Sequence, residues 1–198
     1  MRKIIAISQV TVDGVMQGPG TPEEDPSGGF TKGGWAMPFV DDALQRVIAD
    51  TMSEDADLLL GRRTYQIFER FWPKQGPNVV VNAFNRATKY VVTRSLDQLE
   101  WKPSQKIGGD VVSELRRLKA SGGEPLHIWG SSELLQTLIA SDLIDEYRLW
   151  IVPVVMGAGK RLFEKGVPAH DLKLVATQRM PSGVLVNTYR PARASTVA

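Results

Sequence analysis

Cysteine is absent from the 198-residue chain. That excludes disulfides, a thiolate nucleophile, iron–sulfur clusters and cysteine-built zinc sites. Histidine is scarce: His127 and His170 are the two present, and they lack ligand-type spacing, so no metal is expected. Long hydrophobic runs are missing, and nothing approaches the ~18 apolar residues of a membrane span. The N-terminal MRKIIAISQVTVDG has a basic start but no long apolar core and no small-residue cleavage site, so it reads as a first strand rather than a signal peptide. An excess of charge is missing too. The formal net charge of +2 is too small for a general nucleic-acid binder, which needs a clustered basic face. These absences leave a cytoplasmic protein without nucleic-acid or membrane partners as the expectation.

What is present suits one domain with a real core. Hydrophobic residues make up 42% and charged residues 23%, ordinary for a globular chain. The first strand ends at Asp13-Gly14, and residues 17–38, QGPGTPEEDPSGGFTKGGWAMP, form a loop too rich in Gly and Pro for regular structure. A loop this long in a compact domain is usually functional or disordered, and Phe30 and Trp35 argue that it folds over something. Helical spacing predicts a helix over 38–53, followed by a buried strand at 57–60 and a helix over 62–71. A short helix near 78–86, a strand in KYVVTRS and an amphipathic helix in GGDVVSELRRLKASGG come next. PLHIWG reads as a buried strand and SSELLQTLIASD as a helix with Ser131 or Ser132 at its N-cap. LIDEYRLWIVPVVMG reads as a long strand, and the last elements form a hairpin turning at Pro181-Ser182-Gly183. Alternating strands and helices make this an α/β protein with a mostly parallel sheet and an antiparallel C-terminal hairpin. Ligands in such sheets bind at the carboxyl ends of the strands.

Strand-to-helix corners suit phosphate, which needs free backbone N–H groups, little bulk and positive charge. Gly61-Arg62-Arg63-Thr64 follows the buried leucines of DADLLLG, and its arginines sit at the positive end of a helix, where they are disfavoured without an anion. Gly130-Ser131-Ser132 follows LHIW. Thr93-Arg94-Ser95 follows KYVV and carries the groups that suit a phosphomonoester such as the 2′-phosphate of NADPH. Each corner alone has an ordinary structural explanation; together they favour a dinucleotide. No G-x-G-x-x-G joins the first strand to a helix, and GAGKRLF at 157–163 lacks Walker spacing, so standard Rossmann and P-loop sites are not expected.

The order of LLLGRRTYQIF, KYVVTRS, LHIWGSSELLQTLI and LIDEYRLWIVPVVMGAGKRLF resembles the dihydrofolate-reductase-like superfamily. It is most similar to the reductase (C-terminal) domain of the bacterial riboflavin-biosynthesis deaminase/reductase, in stand-alone form. The resemblance implies a three-layer fold over residues 1–190 with helices on both faces of the sheet, and residues 191–198 are expected to be a flexible tail. It implies NADPH as hydride donor, with Gly61, Arg62 and Thr64 on cofactor phosphate. Thr93, Arg94 and Ser95 would lie near the 2′-phosphate, and Gly130, Ser131, Ser132 and Leu134 at the pyrophosphate. Arg63 is expected to face solvent or pack. The family often has two glycines where this chain has Gly130-Ser131. The deaminase half, with its His/Cys zinc site, has no counterpart here. A homodimer is a further implication.

On the substrate side, Gln9 and Thr11 alternate on the first strand and are candidates for binding ring edges, while Trp35 and Phe39 are candidates for stacking on a flat heterocycle. Dihydrofolate reductases carry a carboxylate on the first helix. Asp41 stands near that place and is the candidate catalytic residue, although Asp41 and Asp42 also suit a helix N-terminus. His127 reads as a hydrogen-bonded core residue. Arg161 lies in a loop able to close over the nicotinamide or support a dimer. The expected function is NADPH-dependent reduction of a small pterin- or pyrimidine-like heterocycle, among them 5-amino-6-(5-phosphoribosylamino)uracil, or of a carbonyl compound. The alternative is a non-catalytic NADPH-binding regulatory protein on the same fold.

Overall fold

The computed structural model describes residues 1–192. Eight strands form one sheet in the order β4-β3-β2-β5-β1-β6-β8-β7. The strands are β1 (Ile4–Thr11), β2 (Asp57–Gly61), β3 (Lys89–Val92), β4 (Ser104–Ile107), β5 (Leu126–Trp129), β6 (Glu146–Val152), β7 (Leu172–Arg179) and β8 (Leu185–Pro191). The helices are α1 (Asp42–Ser53), α2 (Arg62–Phe71), α3 (Val79–Arg86), α4 (Val111–Ala120) and α5 (Ser132–Ala140). The first six strands pair in parallel. β8 runs antiparallel to both β6 and β7.

Parallel strands covered on both faces need apolar side chains in both directions. β1 shows this: Ile4 and Ala6 enter one core, Ile5 and Ile7 the other. The first core lies under α4 and α5, through Leu115, Leu135 and Leu138. On the opposite face Leu44 of α1 meets Trp150, and Tyr65 of α2 and Phe84 of α3 meet Leu58 and Leu60 of β2. Three layers result. After β4 at one edge, the chain returns to β5 beside β1, then places β6 on the other side of β1. This reversal opens a crevice at the carboxyl ends of the strands.

Buried charge is concentrated at the opposite, amino ends. Arg2 pairs with Asp57 and donates from Nε to Glu124 O at 2.6 Å. Lys119 pairs with Asp145, which also accepts from Ile4 N at 2.8 Å. Lys89 is fully buried; its Nζ donates to Asn85 O at 2.7 Å and lies 4.1 Å from the Trp101 ring centroid. Burial pulls its pKa down to about 8. Hydrogen bonds and a cation–π contact make these charges tolerable away from water, and they tie strand starts together where no ligand is needed.

The sequence expectations differ from the structure at several element ends. The helix expected from residue 38 begins at Asp42, preceded by a 3-10 turn at Met37–Phe39, because Val40 is extended (φ −81°, ψ 92°). β4, SQKI, lacks the alternating apolar pattern of a strand, since it is an edge strand with Gln105 and Lys106 exposed. β6 ends at Val152, before Pro153. Pro191, counted with the expected tail, belongs to β8, and Ala192 N donates to Asp171 O at 2.8 Å; the rest of that tail, 193–198, lies outside the described residues. Among the described residues no helix is long and apolar enough to cross a membrane.

Candidate active site

A cleft of about 860 Å³ opens at the carboxyl ends of the strands. At the β2–α2 corner Gly61 is extended (φ −72°, ψ 158°), and α2 starts with no side-chain cap. At the β5–α5 corner both Gly130 and Ser131 take φ +60°, the left-handed region that favours glycine. Glycine is needed at 130, where a Cβ would come 3.6 Å from Thr64 Oγ1 on a backbone an L-residue resists. Ser131 accepts strain of ~1 kcal/mol, and its hydroxyl offsets that. The Gly61 N–H donates to Ser131 Oγ at 2.9 Å, and Ser131 Oγ donates to Thr64 Oγ1 at 2.9 Å. Ser131 therefore stitches two corners together instead of capping α5.

The third corner is built by a hydroxyl as well. Thr93 is buried and its Oγ1 accepts from Ser95 N and Leu96 N, both at 3.2 Å. That turn leaves Arg94 and Ser95 exposed at the cleft. Arg62 is exposed too and touches Gln66 Oε1 at 3.2 Å. Every residue expected at the cofactor lines this cleft: Gly61, Arg62, Thr64, Thr93, Arg94, Ser95, Gly130, Ser131, Ser132 and Leu134. A fourth corner, Gly108-Gly109-Asp110 after β4, joins them. The sequence held its signal in the paired glycines, which read only as the start of a helix. Asp110 caps α4 by accepting from Ser113 N at 3.2 Å, so this corner faces the cleft with a carboxylate. Arg63 also lines the cleft and donates to Ser27 Oγ of the Gly/Pro loop at 3.0 Å.

Deeper in, the walls are apolar. Ile48 and Met52 of α1, Phe68 of α2, and Trp72, Trp129 and Trp150 face the cleft. Trp129 and Trp150 meet edge to face at 5.8 Å, and Phe68 and Trp72 at 6.1 Å. Gln9, at the end of β1, lines the same space.

The Gly/Pro loop closes one side. Gln17 is buried and binds Asp25 O at 3.0 Å and Ser27 O at 2.8 Å through Nε2, while its Oε1 accepts from Lys160 N at 3.0 Å. Lys160 Nζ reaches Asp25 Oδ2 at 2.7 Å and Ser27 Oγ at 2.8 Å. Burial raises the Asp25 pKa, but its bonds from Lys160 and Ser27 outweigh that and hold it low. Glu24 is the second carboxyl that the loop brings to the cleft. Burial pushes its pKa up, against hydrogen bonds to Oε2 from Gly20 N at 2.6 Å and Thr21 N at 3.3 Å.

The remaining substrate-side expectations are corrected. Asp41 is absent from the cleft wall. It caps α1: Oδ1 accepts from Leu44 N at 2.8 Å and Oδ2 from Ser182 N at 2.7 Å, bonds that lower its pKa. Thr11 is turned into its own loop, donating to Asp13 Oδ1 at 2.6 Å and accepting from Val15 N at 2.9 Å. Trp35 is buried, with Nε1 on Gln17 O at 2.8 Å, so it anchors the loop. Phe39 packs on the Leu44–Trp150 core. Arg161 is held away from the cleft by Asp13 at 3.3 Å. His127 is buried as expected, but Nε2 makes no hydrogen bond; Glu54 Oε2 stands 3.5 Å away.

Residues 2–186 match the RibD C-terminal domain family. The chain is 28% identical over 196 residues to the uncharacterized protein YyaP of Bacillus subtilis (strain 168), covering 95% of this chain and 94% of that one. Its fold is similar to the crystal structure of a pyrimidine reductase-like protein from Corynebacterium diphtheriae. There the TM-score is 0.64 with 12% identity, covering 97% of this chain and 92% of that one. It is also similar to a dihydrofolate reductase from Enterococcus faecalis complexed with NADP(H). The TM-score there is 0.60 with 16% identity, covering 96% of each chain.

Proposed function

Because the chain belongs to the RibD C-terminal domain family, we propose that it is an NADPH-dependent oxidoreductase that reduces a small heterocyclic or carbonyl compound. The observation that carries this reading is convergence. Two corners about 70 positions apart in sequence are hydrogen-bonded to each other, the β3 corner lines the same cleft, and its wall adjoins an apolar pit. The residues fit the cofactor. The first turns of α2 and α5 have no side-chain cap, so their N–H groups are open to a pyrophosphate. Arg62 and Arg94 bring forked cations, and Thr64 and Ser95 bring hydroxyls, the donors that phosphate oxygens accept from.

When bound, NADPH supplies a hydride: a C–H bond breaks on the dihydronicotinamide, one forms at the acceptor carbon, and the acceptor heteroatom takes a proton. The chain's part is to bind, orient and exclude water. Trp129, Trp150 and Phe68 keep the inner cleft dry. Glu24 is the proton source in this proposal, because its carboxyl lines the cleft and burial favours its protonated form. The protein acts as a homodimer in this reading. The apolar Leu174 and Val175, exposed on edge strand β7, offer a surface for it.

Calorimetric titration with NADPH and NADH tests the cofactor reading. NADPH should saturate the protein and NADH bind at least tenfold more weakly, with Arg94→Ala erasing most of the difference. Failure of both to bind would remove the reductase reading.

A further inference from the structure

We infer that Gln17, Asp25 and Lys160 are positioning residues for the proton donor, a clamp that holds the Glu24 carboxyl at the cleft. The inference rests on the reductase reading, which makes Glu24 the proton source. It also gives a role to the GAGKRLF segment at 157–163, which has no Walker spacing.

Glu24 sits on a turn whose own bonds are local. Its N–H donates to Thr21 O at 3.2 Å, and its Oε2 accepts from Gly20 N at 2.6 Å and Thr21 N at 3.3 Å. These bonds shape the turn, but they do not attach it to the sheet. The attachment is made through the next residue. Asp25 Oδ2 accepts from Lys160 Nζ at 2.7 Å, and Asp25 Oδ1 from Ser27 Oγ at 2.5 Å. The Asp25 carbonyl accepts from Gln17 Nε2 at 3.0 Å, and Gln17 Oε1 accepts from Lys160 N at 3.0 Å. Gln17 and Lys160 therefore grip Asp25 by side chain and backbone together.

Lys160 can hold the loop because its own segment is fixed beside the end of β1. Met16 N donates to Lys160 O at 2.9 Å, Leu162 N to Gly14 O at 3.0 Å, and Gly157 N to Asp13 Oδ2 at 2.9 Å. Gly159, at φ +124°, brings the two segments so close that a Cβ would stand 2.7 Å from Val15 Cγ1. A proton donor must stay within hydrogen-bond reach of the atom it protonates. A loop side chain does so only when the groups behind it lock it in place.

Burial is the largest influence on the Glu24 carboxyl and raises its pKa; the Asp25 charge adds to this, and the two backbone bonds oppose it. The cations that meet this part of the loop are Lys160, paired with Asp25, and Arg63 of α2, which donates to Ser27 Oγ at 3.0 Å. Opening the clamp returns Glu24 to water and lowers its pKa, whereas losing the Lys160 charge alone would raise it. The sign of the change separates position from charge.

The test is a carbon-13 NMR titration of the Glu24 side-chain carboxyl in the ligand-free protein, with the resonance assigned by Glu24→Gln. Lys160→Gln removes the Nζ bonds, and Gln17→Leu removes the amide bonds without changing charge. Both should lower the Glu24 midpoint and speed hydrogen exchange of the Gly20 amide at least tenfold. Lys160→Arg should keep the wild-type midpoint and hold that exchange within threefold. A midpoint that rises or stays in Lys160→Gln, or stays in Gln17→Leu, would overturn the inference, as would an ordinary glutamate midpoint in the wild type. If Gln17→Leu does not fold, Lys160→Gln decides by the same criteria. The titration needs neither cofactor nor acceptor, so a failure of the reductase reading appears separately, as absent NADPH binding in calorimetry.

Discussion

Acid should unfold this protein earlier than its carboxylates alone dictate, and His127 is the reason. The ring is 2% exposed on β5. Burial first, then the positive charge of Arg148, lowers its pKa from 6.5 to about 4, with Glu146 opposing. Glu54 is close, but its two oxygens are held by Arg148 at 2.7 and 2.9 Å. In the unfolded chain the ring gains a proton near pH 6.5; in the folded protein it stays neutral down to about 4. Within that window the unfolded state binds more protons, so stability falls as pH falls and is unaffected by this group above it. At ~1.36 kcal/mol for each pH unit of the window, the loss reaches ~3 kcal/mol at pH 4. His127→Gln is neutral at every pH and similar in size. Urea unfolding of both proteins between pH 7.5 and 4 measures the effect. The variant's stability should fall by ~3 kcal/mol less than that of the wild type over this range, with most of the divergence below pH 6. Parallel curves would refute the argument.

Arg62→Ala should weaken NADPH binding at least tenfold, because a charge-assisted contact contributes ~1.5–3 kcal/mol; Arg63→Ala, which loses only its loop contact, should change it less than threefold, and calorimetry in which Arg63 mattered more would reverse the assignment. Ser131→Ala strands the Gly61 N–H and should cost ~1–2 kcal/mol, a fall in Tm of ~2–8 °C by scanning calorimetry for a chain of this size; an unchanged Tm would show that the two corners do not depend on this hydroxyl. Glu24→Gln should leave the NADPH Kd within twofold while lowering kcat at least tenfold, and a variant with unchanged kcat would remove Glu24 as proton source.

The three corners that line the cleft were legible in sequence for a physical reason. Strand-to-helix corners use local chemistry, so small, hydroxyl or cationic residues lie together just after β2, β3 and β5. Arg62 and Thr64 fall within one turn of a helix, and Thr93 to Ser95 are consecutive. What the sequence hid was the link between corners, since the Ser131 hydroxyl acts on a residue in another corner. The apolar part of the cleft is assembled from distant segments. Trp72, Trp129 and Trp150 are far apart in sequence, and only the tertiary fold brings them to one cavity. Asp41 misled because the same carboxylate at a helix start serves as a cap. β4 was missed because an edge strand facing water carries no alternating pattern.

A crystal structure of the protein with NADPH tests the central claim most directly. The pyrophosphate should lie between the starts of α2 and α5 against Ser131 and Ser132, the 2′-phosphate beside Arg94, and the nicotinamide toward Trp129 and Gln9. A cofactor bound elsewhere, or one whose nicotinamide points away from the tryptophan-lined pit, would contradict it.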